Sequence, residues 1–204
     1  MTKRITISTL DAMKASGDKF VMITAYDATF ARLASEAGAE TILVGDSLGM
    51  VLQGHETTIP VSLDAMVYHT ECVARAKPRS LIVADLPFMS FSNSDDALHA
   101  STQLMQAGAQ MVKLEGGTWL SDSINRLVER GVPVCAHLGL TPQSVNVFGG
   151  YRVQGRTPKE AKSILADAVE IQDAGASLLV LECIPAELAG DIASKLDIPV
   201  IGIG

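Results

Sequence analysis

Aromatic residues are scarce, with one Trp, three Tyr and five Phe in 204 residues. That excludes a base-stacking platform for single-stranded nucleic acid. Positive charge is in deficit, the net charge is -7, and no basic stripe runs anywhere along the chain. This argues against a general nucleic-acid or anionic-membrane surface. Only three cysteines occur, Cys72, Cys135 and Cys183, widely spaced in apolar surroundings and without a CxxC pair. They read as reduced core residues, with neither a disulfide framework nor a thiolate zinc site. No apolar run approaches the ~20 residues that span a bilayer. The opening segment MTKRITISTLDAMKASGDKF has no apolar signal-peptide core. A soluble, cytoplasmic protein is the expectation. What is plentiful is apolar matter: 48% of the residues are hydrophobic and 19% charged, enough for a sizeable core and incompatible with disorder.

A repeat organises that apolar matter. Ala-Gly-Ala occurs at 37–39, 107–109 and 174–176, each time followed by a short aliphatic run. The runs are ETILVGD, QMVKLEG and SLLVLEC. Glycine after a last helical turn supplies the left-handed cap, and the run reads as a strand buried on both faces. Four further runs fit: FVMITAYD (20–27), SLIVADLP (80–87), VPVCAHLG (132–139) and IPVIGIG (198–204). Helical patterns lie between most of these seven strands, at 29–37, 63–75, 95–107, 121–129 and 158–174, with Thr157-Pro158 as a start signal. Another helix is expected near Ser8. Alternating β and α implies a parallel sheet with right-handed crossovers. An open doubly wound sheet for dinucleotides needs a glycine-rich first turn. Here that turn is AYDATF, so a (β/α)8 TIM barrel is the preferred fold. The chain is expected to form one barrel domain over 1–204 that ends on strand seven, short of its last βα unit.

Polar residues collect at one end of these strands: Asp27, Asp46, Asp85, Glu115, His137 and Glu182. In a parallel barrel that end is the catalytic face. Lys113 and Glu115 are two apart and share a face pointing into the barrel, whereas Val112 and Leu114 point outward to the helices. Buried charges need opposite charges, a metal or a charged ligand. Asp46, Asp85 and Glu115 end neighbouring strands ~5 Å apart. An all-oxygen set of this kind suits Mg²⁺ better than Zn²⁺. Each residue also has a bland role. Asp27 reads as a helix cap, Asp46-Ser47 as a cap pair, and His137 as a satisfied core histidine. Two long segments, 47–61 and 139–156, follow strands two and five and would overhang the same face, as loops over the site or as subunit contacts.

The stretches LVGDSLGMVLQGHETTIPV, ADLPFMS, MVKLEGG, VCAHLGLTPQSVNVFGGYRVQGR and LLVLECIPAELA are specific. Together, from about Ile5 onward, the chain resembles the ketopantoate hydroxymethyltransferase family. That resemblance implies a barrel of the phosphoenolpyruvate-mutase-like group. It implies transfer of a hydroxymethyl group from 5,10-methylenetetrahydrofolate to 3-methyl-2-oxobutanoate, giving 2-dehydropantoate, with Mg²⁺ as cofactor, in a homo-oligomer expected to be a decamer. Carried over by position, Asp46, Asp85 and Glu115 are the metal acids. Asp46, Ser47, Asp85 and Lys113 are the 2-oxo acid contacts, Glu182 is the proton acceptor, and His137 lines the same pocket. The folate contacts stay unassigned, with Asn146, Phe148 and Tyr151 as open choices. Two alternatives stand beside this: a Mg²⁺-dependent lyase or mutase on the same scaffold, and a non-catalytic metabolite-binding barrel.

Overall fold

A computed structural model describes residues 4–204. Seven parallel strands follow one another in sheet order: β1 (Met22–Thr24), β2 (Thr41–Val44), β3 (Leu81–Asp85), β4 (Met111–Glu115), β5 (Val134–Gly139), β6 (Leu178–Glu182) and β7 (Val200–Ile203). They form a nearly closed barrel. Among the described residues no ladder joins β7 to β1. The outer helices are α2 (Ala28–Glu36), α4 (Leu63–Arg75), α5 (Ser94–Ala107), α6 (Ser121–Glu129), α8 (Pro158–Asp173) and α9 (Ala186–Lys195). Helix α1 (Ile7–Ser16) precedes β1. All seven expected strands and the expected helices are present. Helix α9 was not anticipated; Gly190 lies inside it and Pro185 stands at its N-cap.

Alternation along each strand divides the core in two. Ile42, Val44, Ile82, Ala84, Val112, Leu114, Ala136, Leu179 and Leu181 face the helices in one large cluster. Leu81, Val83, Met111, Cys135, Leu178 and Val180 form a second cluster inside the barrel. Ile5 and Leu10 join that inner cluster, so α1 plugs the barrel at the strands' N-terminal end. Following the inward positions up a strand, Leu81 and Val83 lead to Asp85, Met111 leads to Lys113 and Glu115, Cys135 leads to His137, and Leu178 and Val180 lead to Glu182. The inside is therefore oily at the base and charged at the mouth. Cys135 is buried as expected, but Cys72 and Cys183 are only partly so, because they sit beside the outer helix surface and at a strand end. Burial pushes the Cys135 thiol up to about 12, which makes it a packing group and not a nucleophile.

The Ala-Gly-Ala signal works as expected. Gly38, Gly108 and Gly175 all have positive φ and end α2, α5 and α8. The capping pattern at Thr157 is also present: its side chain accepts from the Glu160 N–H, and Glu160 reciprocates at the Thr157 N–H. The two long segments are less irregular than their composition implied. Segment 47–61 contains the short helix α3 (Leu48–Val51), and 139–156 contains a 3₁₀ turn (Pro142–Ser144) followed by α7 (Val145–Phe148).

Gly139 joins the fold to the site. It pairs with Glu182 across β5 and β6, its φ is +89°, and a β-carbon there would run into the Glu182 carbonyl oxygen. Substituting alanine forces both a disfavoured backbone and a backbone clash. Gly139→Ala is expected to cost at least about 2 kcal/mol of stability. Urea unfolding followed by circular dichroism measures this; a midpoint equal to that of the parent chain would contradict it.

Candidate active site

A cavity of about 340 Å³ opens at the C-terminal mouth of the barrel. Asp46, Ser47, Asp85, Lys113, Glu115, His137 and Glu182 all line it. The sequence-derived set is therefore brought together at one pole. Asp27 is not part of it: its carboxylate accepts from the Thr29 and Phe30 N–H groups at 2.7 and 2.9 Å and caps α2. Asp46 lies two residues beyond the end of β2, yet is buried. Ser47 makes no cap hydrogen bond to α3; its hydroxyl instead meets the Tyr26 hydroxyl at 2.9 Å.

Lys113 is the pivot. Its ammonium is 2.7 Å from Asp85 Oδ1 and 3.7 Å from Glu115 Oε1, with all three side chains nearly inaccessible to water. Burial alone would lower the lysine pKa, but Asp85, Glu115 and Asp46 outweigh it and raise it, so the amine stays charged. Burial raises the Asp85 pKa against the pull of Lys113. Asp46 is lifted to about 7 by burial and then by the neighbouring charges of Asp85 and Glu115. Glu115 goes the other way. Burial would raise it, but His137, Lys113 and the Gln143 N–H together hold it below the ordinary value.

His137 stands between two carboxylates. Its Nδ1 is 3.3 Å from Glu115 Oε1 and its Nε2 is 3.4 Å from Glu182 Oε2, ion-pair distances without hydrogen-bond alignment. Burial and Lys113 push its pKa down, while contacts to the two glutamates prevail and raise it. Glu182 is the most accessible acid of the group, at 20% side-chain exposure, and Cys183 immediately after it holds a left-handed φ of 48°. Strain of this kind in a non-glycine residue persists where the surroundings over-determine it.

The overhanging segments contribute as well. Met50 and Thr58 from one, and Pro142 and Tyr151 from the other, line the cavity. The Tyr151 hydroxyl contacts Met50 Sδ at 3.4 Å and joins the two segments across the mouth. Phe148 lines an adjoining cleft, and Asn146 is exposed away from the cavity. Sequence reasoning missed Gln143, which donates to Asp46 and Glu115. An uncharged glutamine in a loop carries no periodicity or charge signal that would have flagged it.

Four carboxylates thus surround one lysine and one histidine, and the acid-to-base balance is negative. Among the described residues no three acids, thiols or imidazoles stand together as a ready ligand cage. Lys113 and Gln143 lie between the carboxylates. The donor set nonetheless fits a hard divalent cation: the donors are oxygens, and burial, with the neighbouring charges of Asp85 and Glu115, disfavours the ionised form of Asp46, a cost that added positive charge relieves.

The chain is similar to known proteins in sequence and in fold. The model of the ketopantoate hydroxymethyltransferase family matches residues 4–204. The 3-methyl-2-oxobutanoate hydroxymethyltransferase 2 of Pseudomonas entomophila is 58% identical over 200 residues, 98% of this chain and 75% of the relative. That of Burkholderia vietnamiensis is 59% identical over 200 residues, 98% of this chain and 74% of the relative. Among solved structures, 2,3-dimethylmalate lyase, of the PEP mutase/isocitrate lyase superfamily, superposes with a TM-score of 0.70 at 18% identity, over 96% of this chain and 70% of that one. Phosphonopyruvate hydrolase gives 0.67 at 16%, over 97% and 80%. These two likenesses define the barrel fold. With its buried acid cluster in place and its whole described length matched, the chain belongs to the ketopantoate hydroxymethyltransferase family of transferases.

Proposed function

We propose that this chain transfers a hydroxymethyl group from 5,10-methylenetetrahydrofolate to 3-methyl-2-oxobutanoate, forming 2-dehydropantoate in pantothenate biosynthesis. The observation that carries this reading is the buried Asp85–Lys113–Glu115 network at the mouth, flanked by Asp46 and by the accessible Glu182. A 2-oxo acid is a small anion whose carboxylate and ketone need positive charge and hydrogen-bond donors. Lys113 supplies the charge, and Ser47 supplies a hydroxyl. Asp46, Asp85 and Glu115 are the residues that would hold Mg²⁺, with Asp46 and Asp85 also beside the substrate. When bound, the ion supplies Lewis-acid charge to the substrate oxygens.

Glu182 is the base. It lies on the cavity wall and retains access to a bound ligand. It takes the proton from C3, next to the ketone, and Lys113 counters the negative charge that develops on the oxygen. The carbanion carbon bonds to the methylene carbon as the first of its two carbon–nitrogen bonds to the folate breaks. Water then displaces the second nitrogen and supplies the product hydroxyl. The two folate nitrogens take up the proton removed from C3 and the one released by the water. His137 stands at ion-pair distance from Glu182 on one side and Glu115 on the other, between the base and the cluster. On the family's pattern, we infer a cytoplasmic homo-oligomer, a decamer.

Three outcomes follow from these roles. Glu182→Gln should bind Mg²⁺ and the 2-oxo acid with parental affinity but lose exchange of the C3 proton by at least roughly 10²-fold. Deuterium uptake into 3-methyl-2-oxobutanoate, read by NMR, tests this, and undiminished uptake would remove Glu182 from the role. Lys113→Met should raise the substrate Kd at least roughly tenfold. It should also destabilise the fold by about 3–5 kcal/mol, since it leaves Asp85 buried without its counter-charge. Calorimetry and denaturant titration read the two effects, and an unchanged Kd would count against the lysine. Mg²⁺ affinity should fall as Asp46 takes up its proton. A group titrating at about 7 loses roughly fivefold of its ionised fraction between pH 7 and pH 6. A metal Kd that does not vary over that interval would refute Asp46 as a ligand.

A further inference from the structure

Gln143 is buried at the start of the segment that follows β5. Its side-chain nitrogen donates to Asp46 Oδ2 at 2.9 Å and to the Leu86 carbonyl at 2.9 Å, so both amide hydrogens are used. Its backbone N–H donates to Glu115 Oε2 at 3.0 Å. Leu86 directly follows Asp85. One residue therefore ties together the ends of β2, β3 and β4, the three strands that carry the acids. An amide suits this place chemically. It donates without carrying charge, so it orients the Asp46 carboxylate, while the backbone N–H orients Glu115, without cancelling the negative charge a cation requires. A second lysine there would neutralise the cluster as Lys113 neutralises Asp85.

We propose that Gln143 is a positioning residue for the acid cluster, fixing the carboxylates of Asp46 and Glu115 in the orientation that receives a divalent cation and the 2-oxo acid. This rests on the function proposed above. Gln143 touches no reacting atom; it acts through Asp46 and Glu115. Partners that orient metal-binding carboxylates typically account for 10–100-fold of metal affinity.

The test uses Gln143→Met, which keeps the length and the backbone donor but removes the amide, and Gln143→Asn, which keeps the amide one methylene short. Binding of Mg²⁺ alone is measured by calorimetry, with melting of the metal-free proteins followed by circular dichroism. Gln143→Met should fold cooperatively and bind Mg²⁺ 10–100-fold more weakly, with Gln143→Asn between it and the parent. The KM for the 2-oxo acid should rise more than kcat falls. A merely structural glutamine would lower the melting temperature and leave the Mg²⁺ Kd of the folded variants unchanged. A Kd within twofold of the parent for Gln143→Met, or for Gln143→Asn should the methionine variant not fold, overturns the proposal. Absence of Mg²⁺ binding by the parent chain would instead overturn the metal reading on which it stands.

Discussion

The ion network centred on Lys113 is the constraint around which the site is built. A lysine inside a barrel is costly unless acids meet it, and acids there are costly unless something positive meets them. Asp85 and Glu115 satisfy the lysine, and the lysine holds Asp85 and Glu115 close together. The match is incomplete: Asp46 and Glu182 remain, and both line the cavity. The cluster is stable enough to fold and retains attraction for a cation or a cationic ligand.

The rest of the molecule makes that network possible. The base of the barrel is filled by Leu81, Val83, Met111, Cys135 and Leu178 and closed from below by Leu10 of α1. Water is kept from the charged tier on that side, so the charges interact in a poorly screened setting. On the outer side, the helix-facing residues clamp each strand by packing, which holds the inward side chains in register. Because neighbouring strands are parallel and adjacent in order, Asp85 sits opposite Lys113 and Glu115 opposite His137. The network is thus a consequence of register. A slip of one residue would turn the charged tier outward into the apolar helix layer.

The segments above the mouth add the fine positioning. Gln143 comes from one of them and reaches three strand ends, and Tyr151 reaches Met50 across the opening. Helical turns inside both segments give them fixed backbones, which a freely moving loop would not provide. The strained backbone at Cys183 and the positive φ at Gly139 lie on either side of Glu182. Only Cys183 carries an unfavourable backbone there, since glycine adopts positive φ freely.

The strand and helix pattern, the inward direction of Lys113 and Glu115, and the gathering of Asp46, Asp85, Glu115, His137 and Glu182 at one end were legible in the sequence. Each follows from a periodicity of two, a repeat of one βα unit and the shared polarity of parallel strands. The specific stretches of residues that carry the family resemblance were legible too. Helix α9 was hidden because a glycine weakens its pattern, and Gln143 because a neutral donor has no sequence signature. Only the tertiary structure decided which carboxylate pairs with Lys113, that His137 bridges two glutamates, and that Asp46 is pushed to about 7. Those outcomes depend on distances and burial between residues far apart in the chain. No local pattern encodes them, since they arise from how adjacent strands and the overhanging segments pack together.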